Sequence, residues 1–161
     1  MSKAVLISIR PEWCEKIING RKTIEVRKTR PKMNPPFKCY IYRSVQGGVI
    51  GEFVCDDIFE RIVRVGAICE PPKYCICDWN MDCTPLDTLL ADACLTKDEL
   101  EKYLDGGVGY GWHISNLKIY DHPRELREFY AVPNEVEVAL KVKPKPITRP
   151  PQSWRYVEEQ T

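Results

Sequence analysis

Between Gly20 and Arg27 the chain must end a helix and begin a strand within eight residues, which restricts its fold more than any other stretch. The run is Gly20-Arg21-Lys22-Thr23-Ile24-Glu25-Val26-Arg27, a G-x-K-x-x-E-x-R pattern. Ahead of it, Pro11 to Asn19 predicts a short helix. Proline suits a first helical turn because its missing donor would be unpaired there, and Trp13 with Ile17, or Cys14 with Ile18, forms an i,i+4 apolar face. Gly20 stops that helix, since a residue without Cβ takes the left-handed cap conformation at least cost. In the strand that follows, Thr23, Glu25 and Arg27 share one face while Ile24 and Val26 share the other. The apolar face suits a core. The charged face is either the solvated side of a half-buried sheet or the wall of a groove. Lys22, the first residue out of the turn, has no face assigned.

Thirteen prolines and nine glycines break the remainder into short elements. Ala4 to Ile9 alternates as a strand. Pro31, Pro35 and Pro36 make Thr29 to Phe37 a loop. Lys38 to Arg43 and Val49 to Cys55 predict a hairpin turning at Gly47-Gly48, and Ile58 to Val65 is a further β-branched run. Residues 66–83, rich in proline, cysteine and acid, have no usable period and are expected to form an irregular insertion. Helices are predicted after Thr84-Pro85-Leu86 and from Thr96, where Thr96 and Glu99 have capping-box spacing. Leu86, Leu89, Leu90, Leu100, Tyr103 and Leu104 would supply their buried faces. A long strand from Tyr110 to about Tyr120, a helical turn between Pro123 and Phe129, and a last strand around Glu135 to Val142 complete the inventory. A proline-rich tail, 144–161, would lay Trp154 across the surface. The fold class expected is α+β, a small mixed β-barrel of about six strands flanked by short helices, in a single domain spanning 1–161.

The opening of the chain, Leu6-Ile7-Ser8-Ile9-Arg10-Pro11-Glu12-Trp13 followed by Lys16-Ile17-Ile18-Asn19 and the G-x-K-x-x-E-x-R run, resembles an ASCH domain, a member of the PUA-like superfamily. The resemblance implies a small barrel associated with RNA or nucleotide ligands, and a ligand cleft lined by the signature residues Lys22, Glu25 and Arg27. Thr23, Arg10, Arg43 and Trp112 join them as candidate ligand-binding residues. Tyr110, Trp79 and Trp154 are further rings on which a base could stack, each weighed against an ordinary place in the core. Trp112 and His113, being strand neighbours, cannot both face one site. The resemblance carries an alternative: some members of the family are similar to amidohydrolases that deacetylate acetylcytidine with a lysine, a threonine three residues later and a glutamate elsewhere. Here Lys22 takes the lysine position but Glu25 stands where the threonine is expected. Catalysis would then have Glu25 activating water and Lys22 stabilising an oxyanion.

Charge and cysteine usage narrow the partners. The net charge is only +1, yet from Arg21 to Lys32 six basic residues face one acid, and Lys141, Lys143, Lys145, Arg149 and Arg155 follow near the C-terminus. Brought together, these segments would track phosphates; kept apart, they are a solvated rim. No apolar run is long enough to cross a bilayer, and the N-terminus enters a strand pattern directly, so a cytoplasmic protein with no membrane partner is expected; the oligomeric state is left open by the sequence, a monomer being favoured. Of the eight cysteines, Cys39 and Cys55 fall in strands. Cys69, Cys75, Cys77 and Cys83 are close enough to hold zinc but lack paired C-x2-C knuckles, so reduced thiols, no metal and no other cofactor are expected.

Overall fold

The computed structural model describes residues 2–65, 73–77, 83–84 and 86–161, with the backbone course alone at 60–65, 73–77 and 83–84. In chain order the elements are β1 (Lys3–Ile9), α1 (Pro11–Ile18), β2 (Ile24–Arg27), β3 (Phe37–Arg43), β4 (Val49–Val65), β5 (Lys73–Cys77), β6 (Cys83–Thr84), α2 (Asp87–Ala93), α3 (Lys97–Leu104), β7 (Gly109–Arg124), α4 (Glu135–Ala139) and β8 (Trp154–Glu158). This is an α+β inventory. Two compact units share the chain: the first holds Met1–Glu15, Pro36–Val54 and Asn116–Thr161, the second Lys16–Pro35 and Cys55–Ser115. The long strands β4 and β7 give residues to both.

In the first unit β1 is the central strand. It pairs in parallel with β3, from Val5↔Cys39 to Ile9↔Arg43, and antiparallel with β8, from Lys3↔Glu158 to Ile7↔Trp154. Ala4, Val5, Leu6 and Ile7 are all fully buried, so β1 is covered on both faces and reads as a continuous apolar run. Ala4, Leu6, Tyr40, Val49, Phe129, Ile147 and Val157 form one core cluster. The predicted hairpin closes through Arg43 N–H to Gly48 O and Gly47 N–H to Arg43 O, both 2.9 Å.

Two expectations are corrected in this unit. Residues 135–142 do not form a strand: Asn134 caps α4, accepting from Glu137 N–H while the Glu137 carboxylate accepts from Asn134 N–H. The alternation of Val136, Val138 and Leu140 imitates a strand, but all three are exposed and local capping decides the conformation. The tail, for its part, ends in an edge strand. Ser8 fixes its approach, its hydroxyl donating to Pro151 O at 2.6 Å and its N–H to Ser153 O at 2.9 Å, before Trp154 enters β8.

In the second unit β2 pairs antiparallel with β7, from Ile24↔His113 to Arg27↔Tyr110. β4 pairs antiparallel with β5, and β5 with β6. The stretch expected to be irregular therefore contains two strands. Pro71 and Pro72 and the cysteines masked the short period, and the rest of 66–83 lies outside the described residues. β4 is one continuous strand where two runs were read. Ile24, Val26, Leu86, Leu89, Ala93, Leu100 and Leu104 form the core, so the apolar face of the signature strand packs under α2 and α3. The capping box at the start of α3 is present: Thr96 Oγ1 accepts from Glu99 N–H at 3.1 Å. Tyr103, placed by periodicity on the buried face of α3, is 40% exposed. Among the described residues no helix is long and apolar enough to cross a membrane.

Candidate functional site

The signature segment is held at both ends by backbone. Gly20 has φ +79°, the left-handed conformation its position requires, and its N–H donates to Ile17 O at 3.1 Å. Lys22 N–H then returns to Lys16 O at 2.9 Å. Thr23 is tied on both sides, donating to Asp92 O and accepting from Ile114 N–H, each at 2.8 Å. These bonds fix where the next side chains go.

What they place is a buried charge triad. Lys22, Glu25 and Arg27 are 3%, 6% and 8% exposed. Arg27 donates to Glu25 Oε1 from Nε at 3.0 Å and from Nη2 at 2.9 Å. Lys22 Nζ stands 3.3 Å from Glu25 Oε2 and donates to Ala93 O at 2.6 Å. Ala93 is the last residue of α2, and that helix has no basic residue in its own final turn. The Lys22 ammonium thus supplies the positive charge that a helix C-terminus favours, from elsewhere in the chain. Glu25 Oε2, although at ion-pair distance from Lys22, has no hydrogen-bond donor among the described residues. The charged strand face is therefore covered instead of solvated, and Lys22 joins it from outside the strand.

Next to the triad lies an aromatic residue that periodicity had hidden. Burial raises the Tyr103 hydroxyl above its ordinary pKa, with Arg27 opposing and Glu25 reinforcing the shift, which places the ring within electrostatic reach of both. Lys28 Nζ sits 5.0 Å from the ring centroid. The surface here is a partly exposed tyrosine ring with the Lys28 ammonium over it. The available signal was its place at i+3 from Leu100 on α3, at the edge of the apolar face.

A second polar group in this unit joins His113 and Asp56. Their side chains meet at 2.6 Å, Nδ1 to Oδ1, and both are more than one-third exposed. The His113 hydrogen bond, with a smaller one from Ser115, holds the Asp56 carboxyl below its ordinary pKa. Nearby Cys55 is buried, and loss of hydration with the negative charge of Asp56 pushes its thiol up to about 12.

Of the residues singled out by sequence, the structure brings together Lys22, Glu25 and Arg27, with Thr23 half-buried beside them. Trp112, the register partner of Glu25, has no exposed ring surface, whereas its neighbour His113 reaches solvent, as strand alternation requires. Tyr110 is half-buried in the same unit; Arg10, exposed, and Arg43, half-buried, belong to the other, as does Trp154. Trp79 and Cys69 lie outside the described residues, and Cys75, Cys77 and Cys83 are described by backbone only. Among the described residues no group of three metal-ligating side chains is assembled.

The sequence model of the ASCH domain matches residues 7–137. In structure the chain is similar to the crystal structure of ASCH from Zymomonas mobilis, with a TM-score of 0.61 at 18% identity, covering 97% of this chain and 88% of that one. Two single-residue variants of that bacterial protein superpose alike, each with a TM-score of 0.61, at 18% and 17% identity over 98% and 97% of this chain and 92% and 89% of theirs. No curated protein sequence matches. Likeness at this identity shows the fold, an α+β ASCH fold, and the family match is independent of it.

Proposed function

The chain belongs to the ASCH domain family, and on that premise we propose that it binds single-stranded RNA or a nucleotide on the surface at Lys28 and Tyr103, beside the buried Lys22–Glu25–Arg27 triad. The observation that carries this reading is the Tyr103 ring, 40% exposed, with the Lys28 ammonium 5.0 Å from its centroid. Every base has a π-face to lay on such a ring, and stacking contributes about 1–3 kcal/mol per base. The cation beside it suits the phosphate that a stacked nucleotide carries. The triad below gives the surface a fixed floor. Arg27 is held by two bonds to one carboxylate oxygen, and Glu25 Oε2 is left as the acceptor for a donor such as a base amino group. Oε2 is itself covered, so a ligand reaches it only after a neighbouring side chain turns aside.

The hydrolytic alternative draws less support. Lys22 is engaged with Ala93 O and Glu25, so an oxyanion on its ammonium requires the triad to break, whereas stacking on the Tyr103 ring does not.

Fluorescence anisotropy with labelled single-stranded RNA, at two salt concentrations, tests the proposal. Tyr103→Ala is expected to weaken binding by about 5- to 150-fold, the range that stacking energy converts to, while Tyr103→Phe stays near the parent. Absence of binding at low salt, to RNA and free nucleotides alike, rejects it.

A further inference from the structure

The first unit contains a groove of about 810 Å³ that the signature strand does not reach, lined by Arg43, Gln46, Glu125, Arg127 and Thr148 among others, with Arg124 on its wall. Its size is in the range of small-ligand sites. Three guanidinium groups line it, two of them paired with carboxylates, Arg124 with Glu128 and Arg127 with Glu125, and the three are in different states.

Arg124 is fixed. It lies 4.8 Å from the Phe129 ring centroid and 5.8 Å from that of Tyr120, donates from Nη1 to Gln160 Oε1 at 2.5 Å, and meets Glu128 Oε1 at 3.3 Å. Arg127 pairs with Glu125 at 3.0 Å, but both side chains are more than 70% exposed, and such a pair holds its partners weakly. Arg43 is different: its Nε is buried and has no hydrogen-bond partner among the described residues. A guanidinium donates in a rigid fork that matches the oxygens of a carboxylate or phosphate, and a buried N–H without an acceptor is unfavourable. The groove is also closely packed at one edge. Gly48, with φ +85°, packs its backbone so closely on Pro123 that an added Cβ would stand 2.9 Å from the Pro123 Cβ. The turn after Arg43 and the end of β7 that carries Arg124 are thereby pressed together.

We infer that this groove is a second ligand site, for a phosphate-bearing small molecule, in which the Arg43 guanidinium is the anchor and Arg124 and Arg127 complete the anion cradle. Phosphate suits the lining better than carboxylate because a tetrahedral group presents oxygens in three directions to guanidiniums on different elements. The site stands apart from the reading given for Lys22–Arg27 and survives its failure.

Calorimetric titration of the full chain with inorganic pyrophosphate at low salt, repeated with a nucleoside 5′-diphosphate, tests it. The parent is expected to bind, Arg43→Gln to lose at least about tenfold in affinity, and Arg127→Gln a few-fold. Arg43→Lys keeps the charge but not the fork, and a partial loss there, with a parent-like melting temperature, separates recognition from folding. For binding that Arg43→Gln weakens, equal affinity for the two probes identifies the phosphate alone as the determinant, and at least tenfold preference for the nucleoside diphosphate identifies a phosphorylated nucleoside; binding of either probe that Arg43→Gln leaves intact belongs elsewhere and counts against Arg43 as anchor. No binding by the parent, or parent-like affinity in Arg43→Gln, overturns the inference.

Discussion

Glu25 is the one carboxylate between two buried cations, and this arithmetic predicts an unusual order of stability among triad variants. At the separations observed, 3.3 Å to Lys22 and 2.9 Å to Arg27, each attraction is roughly 5–6 kcal/mol gross at an effective dielectric of about 20, before desolvation is set against it. Either cation alone is therefore enough to compensate the carboxylate. Arg27→Ala leaves a one-to-one Lys22–Glu25 pair and removes the hydrogen bonds on Oε1, at a cost of about 1–3 kcal/mol. Lys22→Met also leaves a one-to-one pair, but orphans the Ala93 carbonyl and removes the charge from the end of α2, for about 2–4 kcal/mol. Glu25→Gln, chemically the mildest change, leaves two buried cations against an amide and is expected to be the worst, at about 3–5 kcal/mol. The double variant Lys22→Met with Glu25→Gln should regain part of that loss, because it removes one of the two opposed cations. Urea unfolding of the parent and the four variants reads these differences from the midpoint at a common slope. If Glu25→Gln is no less stable than Arg27→Ala, the triad does not act as one charge-balanced unit and the argument fails.

Asp56 predicts a pH effect. Its folded pKa is depressed by the His113 hydrogen bond, so its contribution to stability is present above the unfolded aspartate value, about 3.9, and lost as pH falls through the folded value. The stability difference between the parent and Asp56→Asn should accordingly be present above the unfolded aspartate value and vanish in acid; a difference that persists at pH 2 contradicts the assignment. A separate expectation concerns Gly51, where a Cβ would stand 2.5 Å from Lys118 O, a backbone atom that cannot turn aside. Gly51→Ala should cost about 1–3 kcal/mol by overpacking, and a parent-like melting temperature would show that the strands yield there.

What the sequence revealed and what it hid divide along the reach of the interactions. The Gly20 cap and the Glu25–Arg27 pair were legible because each is decided within two or three residues, by a glycine that can take positive φ and by strand alternation. The Thr96–Glu99 box was legible for the same reason. Lys22 to Ala93 and His113 to Asp56 were not, since the partners are 71 and 57 residues apart and no local pattern encodes them. α4 failed in a more instructive way. A period of two over Val136, Val138 and Leu140 reads as a strand only if one face is to be buried, and here neither is, so the Asn134 cap had nothing to compete with. Tyr103 shows the limit of helical periodicity, which assigns a direction from the axis but not how far the neighbouring elements extend to cover it.

The same distinction governs how the signature motif can be tested. Lys22 and Glu25 are buried, and Lys22 holds the end of α2, so a variant at either position that loses ligand affinity has lost a structural bond as well. Such a result would be expected whether or not ligand ever touches them. The residues that isolate the proposed recognition are the partly exposed Tyr103 and Lys28 beside it, which lie outside the buried triad. A motif that the sequence presents as a chemically armed strand face is, in the folded chain, mostly a device for fixing α2 against β2. On the proposed function, its contribution to binding is read through the surface residues beside it, Lys28 and Tyr103.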